Sequence, residues 1–221
     1  MIKNLGEIIT KIQEDWETRN AVRDLTLVRS RALIRCCANS IRATHRREYE
    51  AARELLTQAK AMADEMLSEA EPFGDIYQAG YTQDALKEMA EAAITLALIT
   101  GEPCPDPDEL GIGYAAYANG LGEAASELRR FALDSLRQGD LAEAERMLEM
   151  MDEVYGYLVT LDFPDNLTRG LRRTTDMVRA VLERTRGDVT VAARQDRLEA
   201  ALKNLDARLD AFRPEQQPAD V

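Results

Sequence analysis

Residues 85–99 read ALKEMAEAAITLALI. The stretch has no Gly or Pro and is built almost wholly from Ala, Leu, Met, Ile and Glu, which are helix formers. Its apolar residues fall on every side of a helix, and a helix apolar all round is a buried one. Its only charges are Lys87, Glu88 and Glu91. Glu88 and Glu91, three apart, share a face, which Asp84 and Thr95 extend in both directions. Residues 112–126, IGYAAYANGLGEAAS, repeat the pattern around one acid, Glu123, with Glu127 four residues on. Gly120 and Gly122 lie mid-helix, where each costs about 1 kcal/mol against Ala, and mark a place where another backbone comes close. Packed antiparallel, the two helices would bring Glu123 to Glu88 and Glu91.

The rest of the chain fits an all-α fold. Of its 221 residues 45% are hydrophobic, 31% charged and 5% aromatic, which suits one globular helical domain. No Gly or Pro falls between Gly6 and Pro72. A single helix of that length would run on the order of 100 Å, so breaks are expected near residues 17–20 and 44–47. Further helices are expected from residue 75 or 81 to 100, over 112–138, 141–161 and 167–186 with Gly187 as C-cap, and from 188 or 190 to 212. The sequence thus predicts a single-domain bundle of about seven helices over residues 1–212, with a disordered C-terminal tail over 213–221.

Composition also excludes classes of function. Three cysteines, Cys36, Cys37 and Cys104, make neither a disulfide framework nor a four-ligand zinc site. One histidine, His45, disfavours a His-based metal centre or a Ser-His triad. No secretory signal or membrane-length apolar run is read at the start or elsewhere, so a cytoplasmic location is expected. The net charge of −12 disfavours broad, unspecific nucleic-acid binding. Arginines nevertheless cluster over residues 19–53, with Arg31, Arg35, Arg42, Arg46 and Arg53 at helical spacing, and again over 169–186. Such patches hold a phosphate backbone locally, or are solvated faces paired with acids.

Three carboxylates sharing a partly buried pocket do not all stay charged without help: protons or a cation must join them. Oxygen-only ligands suit Mg²⁺ or Mn²⁺, and such ions commonly serve phosphoryl chemistry. A ferritin-like di-iron site wants Glu-x-x-His, for which no histidine is available. Glu-x-x-Glu is also a common solvated pair, so spacing alone leaves both origins open.

Four stretches carry a resemblance to a known family: 29–48 (RSRALIRCCANSIRATHRRE), 77–92 (YQAGYTQDALKEMAEA), 117–130 (YANGLGEAASELRR) and 183–188 (ERTRGD). In this order, within about residues 25–205, they resemble the translin family, which includes the translin-associated subunit Trax and archaeal relatives. The resemblance implies an all-helical, translin-like fold and assembly into closed shells of roughly eight subunits, here a homo-oligomer of octamer size. It implies binding of single-stranded RNA or DNA and, for Trax-type subunits, Mg²⁺-dependent endoribonuclease activity. The Trax glutamate pair falls on Glu88 and Glu91, and Glu123 stands where Trax carries an aspartate. These three are the expected catalytic and metal residues, with Glu127 a further ligand or a residue behind the ligands. Arg42, His45, Arg46, Arg47, Arg172, Arg173 and Arg186 are the nucleic-acid-binding candidates, with His45 equally suited to a structural hydrogen bond.

The expected function is therefore a metal-dependent endoribonuclease (a hydrolase) acting on single-stranded RNA. The alternatives are a non-catalytic single-stranded RNA- or DNA-binding shell, an all-helical nucleotide pyrophosphohydrolase, and a scaffold. The pyrophosphohydrolase is disfavoured because Glu123 and Glu127 are four apart rather than three.

Overall fold

The computed structural model describes residues 3–211; the tail expected over 213–221 lies outside them. The described residues form nine helices and no strand. Six are long: α1 (Leu5–His45), α2 (Tyr49–Ala70), α4 (Gly80–Thr100), α6 (Tyr114–Arg137), α7 (Leu141–Leu158) and α9 (Leu171–Ala211). Three are single turns: α3 (Gly74–Tyr77), α5 (Pro107–Leu110) and α8 (Asp165–Thr168). The all-α expectation holds, but the count of about seven does not, because these short turns sit in loops where sequence periodicity gives no signal. None of the helices is long and apolar enough to cross a membrane.

Two expected breaks are absent. α1 runs unbroken through residues 17–20, where Arg19 bonds Asp15 one turn back at 2.8 Å and reaches Asp75 at 2.9 Å. The compactness that required a break does not apply, because the first four turns of α1 extend beyond the bundle and are exposed. Gly187 likewise caps nothing: α9 continues through it to Ala211. The break near residues 44–47 is real. Arg47 takes a left-handed φ of 62°, and α2 starts at Tyr49.

α6 is the spine, packed on α4, α7 and α9, while α1 packs on α2 and α4. One core unites Leu33, Cys37, Met66, Leu86 and Met89 between α1, α2 and α4; a second unites Ile99, Leu128, Phe131, Met147 and Leu182 between α4, α6, α7 and α9. These side chains are all but fully buried, which is the main source of stability.

α4 and α6 run in the same direction, not antiparallel. Their contacts advance in step: Gln83 and Asp84 border one cavity with Ala115 and Ala116, Lys87 meets Gly120 and Glu123, and Ile99 shares a cluster with Leu128 and Phe131. The connection over residues 101–113 permits this. At full stretch it spans about 43 Å, against roughly 31 Å for the 21-residue α4, so the chain returns across the bundle before starting α6. Near its end Tyr117 Oη donates to the Pro105 carbonyl at 2.9 Å, and Ile112 is buried.

Candidate metal and nucleic-acid site

Gly120 sets the spacing of the two helices that carry the acids. A Cβ there would stand 2.7 Å from the Lys87 carbonyl oxygen, 2.7 Å from Ala90 Cβ and 2.9 Å from the Glu91 amide nitrogen, closer than real contacts permit. Gly122, one turn-half further, serves α9: a Cβ there would collide with Thr174 Cγ2. The expected close approach of another backbone holds at Gly120; Gly122 instead makes room for side chains, Thr174 foremost.

At this crossing the carboxylates converge. Glu88, Glu91 and Glu123 each offer an oxygen, and these oxygens all lie within 4.8 Å of one another. Glu91 is the most enclosed, at 8% exposure, and its acidity follows from that. Burial first, then the charges of Glu88, Glu123 and Glu127, push its pKa up to about 8. Glu88 is also pushed up, chiefly by burial, while the Lys87 charge works the other way. Three oxygen-only donors at this separation could hold a hard divalent cation, and such an ion would displace the proton that burial favours on Glu91.

Lys87 is the part of the site that sequence did not single out. Its ammonium donates to Glu123 Oε1 at 2.7 Å. Burial alone would lower its pKa; the bond to Glu123 and the nearby acids reverse that and leave it raised. The cluster therefore already holds one positive charge. The only sequence signal was Lys87 being the lone base on an apolar helix.

Glu127 has a different partner. His45 Nε2, at the end of α1, bonds its Oε2, and Arg130 lies 4.0 Å away. The His45 bond is the main reason why the Glu127 pKa is lowered. The acids are thus split: Glu88 and Glu91 are held towards protonation, while Glu127 is held ionised and stands one turn beyond the three-carboxylate group. The His45 side chain is 4% exposed, packs near the Phe131 ring, and its Nδ1 has no hydrogen-bond partner among the described residues. The His45 side chain is thus largely enclosed, next to exposed Arg46 and Arg47, and makes a structural hydrogen bond.

The basic candidates do not form one surface. Arg42, Arg46 and Arg47 are exposed at the end of α1. Arg42 bonds Asn39 at 3.2 Å, Arg46 pairs with Glu48, and Arg47 lies over the Phe131 ring, 5.3 Å from its centroid. Arg47, over the ring that His45 packs near, and Arg130, beside Glu127, lie towards the Glu127 end of the site. Arg53 leaves the stripe, because it belongs to α2 and pairs with Glu50 and Glu102. Arg186 pairs with Asp152 at 2.7 Å. Arg172 and Arg173 diverge: Arg172 borders a cavity with Asp162, Asp165 and Asp176, whereas Arg173 borders one with Lys87, Glu123 and Arg169.

An all-helical bundle with a three-carboxylate cluster at a glycine-spaced helix crossing, and with arginines towards both ends of it, describes a narrow class of protein. No family model matches the chain. An uncharacterized protein of Methanocaldococcus jannaschii is 28% identical over 193 residues, which is 86% of this chain and 85% of that protein. Among solved structures, AfC3PO matches with a TM-score of 0.78 and 32% identity, over 84% of this chain and 96% of that one. The structure of AfC3PO in complex with duplex RNA matches with a TM-score of 0.73 and 33% identity, over the same shares. Apo-NeC3PO, at 21% identity and a TM-score of 0.72 over 87% of this chain and 98% of its own, has the same fold. The chain belongs to the translin/C3PO family.

Proposed function

We propose that the protein is a metal-dependent endoribonuclease that binds and cleaves single-stranded RNA, with Glu88, Glu91 and Glu123 as its Mg²⁺ or Mn²⁺ ligands. The observation that carries this proposal is the convergence of three carboxylate oxygens within 4.8 Å at a crossing where burial and the neighbouring acids push the Glu91 pKa up. A surface Glu-x-x-Glu pair has no reason to be so enclosed. A divalent ion at such a cluster supplies Lewis-acid charge to a phosphodiester and lowers the pKa of a coordinated water. The chain's own residues supply the rest. Gly120 sets the ligand spacing, Lys87 balances charge at Glu123, and His45 holds Glu127 ionised beside the cluster. Arg42, Arg46 and Arg47 offer phosphate contacts at one end. Binding of RNA is supported by the duplex-RNA complex of AfC3PO.

Assembly into a multi-subunit shell is part of the same proposal. Leu5, Ile9, Ile12 and Trp16 on the projecting turns of α1, and Leu198, Leu202, Leu205 and Leu209 on the far end of α9, are large, apolar and exposed. Both sets are spaced four, three and four apart, the seam of a helix that packs on another helix. Second copies of the chain are the partners that these stripes fit.

The test is cleavage of a labelled single-stranded RNA with Mg²⁺ or Mn²⁺. Glu91→Gln and Glu123→Gln are expected to abolish cleavage and leave RNA binding nearly intact. Wild-type rates in both variants, or cleavage indifferent to chelator, would reject the nuclease. In that case a purely RNA-binding shell, which needs the basic surfaces but no metal, is the remaining function.

A further inference from the structure

On the side of Glu123 away from Glu127, Lys87, Arg169 and Arg173 border one cavity of about 410 Å³, a size typical of small-ligand sites. Its acids are Asp84 and Glu123, and Glu123 is already bonded to Lys87. In a chain of net charge −12, this is a local excess of cations next to the carboxylate cluster.

The corner that carries the two arginines is firmly built. Arg169 ends α8 in the left-handed region, at φ 50°, and Gly170 follows at 87°. A residue with a Cβ adopts this conformation only at a cost, which Gly or Asn at position 169 would largely avoid if the chain needed only to turn. The guanidinium of Arg169 is aimed by donating to the Gln78 carbonyl at 3.3 Å and to the Gln78 side chain. A guanidinium has five N–H donors, so donors remain for a ligand. Asn119, buried on α6, donates to the Thr168 carbonyl at 2.9 Å and accepts from Thr174 at 2.7 Å, pinning the α8–α9 corner to the helix that bears Glu123. Strain and rigid support around an exposed arginine point to a ligand, and forked guanidinium donors suit phosphate.

We infer that this cavity seats the RNA phosphodiester next to the one over the Glu88–Glu91–Glu123 cluster, with Arg169 and Arg173 as its ligands and Lys87 between the two phosphates. The inference rests on the nuclease proposal and adds a direction: the strand leaves the cluster along α4 and α6 towards the start of α9.

The experiment uses the full-length protein and a labelled single-stranded RNA. Binding is measured in chelator across a salt series, and cleavage is measured with Mn²⁺ on RNAs carrying one neutral methylphosphonate linkage at successive positions. For Arg173→Ala and for Arg169→Ala/Arg173→Ala, binding at about 0.1 M salt is expected to weaken, and the log–log salt slope to fall by about 0.7 for the lost phosphate contact. In the wild type, a neutral linkage beside the cut is expected to raise KM about tenfold; in the double variant that same linkage should add nothing. Arg173→Ala alone keeps the test valid should Arg169→Ala unsettle the turn. Variants that bind and cut with the wild-type salt slope and linkage profile overturn the subsite and leave the nuclease standing. A wild-type chain that neither binds nor cuts RNA overturns both.

Discussion

Gly120 on α6 lies against the backbone of α4 at Lys87, so close that a methyl group on it would stand 2.7 Å from the Lys87 carbonyl oxygen. Backbone cannot yield as a flexible side chain would. Gly120→Ala is therefore expected to destabilise the fold by about 1–3 kcal/mol, with a melting temperature lower by several degrees, and to part the ligand helices. Gly187→Ala is the control. That position is helical and has nothing within 4 Å of an added Cβ, so the substitution is expected to stabilise by up to about 1 kcal/mol. Equal effects from both would show that close approach is not what Gly120 provides.

Glu91 makes the stability of the metal-free protein depend on pH. Its pKa is raised from 4.5 to about 8, so between those values the folded chain holds a proton that the unfolded chain has lost. Stability is then greatest below about pH 4.5, as far as this group is concerned, and declines as pH rises towards 8, on the order of 1 kcal/mol per pH unit at most. Glu91→Gln is expected to flatten that limb in denaturant titrations at pH 5 to 8. An unchanged slope in the variant would assign it to other groups.

In the proposed site an entering metal ion would have to displace the Glu91 proton and compete with the Lys87 ammonium at Glu123. Apparent Mn²⁺ affinity, followed by titration calorimetry, is expected to rise up to about tenfold per pH unit below 8 and then level off. Lys87→Met is expected to tighten Mn²⁺ binding severalfold by removing the competing charge. Weaker binding in that variant would instead make Lys87 a group that orients Glu123 for the ion.

Glu127 and His45 are bonded across the α1–α6 contact. Glu127→Ala removes the partner of His45 Nε2, while Nδ1 has none among the described residues. It is expected to cost about 1–3 kcal/mol and to leave Mn²⁺ affinity far less affected than Glu91→Ala does. A Glu127→Ala loss of Mn²⁺ binding equal to that of Glu91→Ala would place Glu127 among the ligands.

Much of this was legible in sequence because it is local. The buried α4, its Glu88–Glu91 face and the close approach at Gly120 all follow from helical spacing and composition. What was missed depends on topology. The parallel course of α4 and α6 is set by the 101–113 connection, whose length reveals nothing about its path. The continuity of α1 through residues 17–20 is hidden because a projecting helix need not fit inside a bundle, and that of α9 because a glycine at 187 has the signature of a helix end although it lies within the helix. Lys87 on Glu123, Arg169 on Gln78 and His45 on Glu127 join residues distant in sequence, and no spacing rule links them.

The projecting ends of α1 and α9 have a consequence for how the protein behaves in a test tube. On these two stripes an isolated copy keeps eight large apolar side chains in water; a copy whose stripes are covered does not. If the proposed assembly covers them, the gain follows mass action, and thermal resistance is then expected to rise with protein concentration. Dilution alone then acts as a mild denaturant.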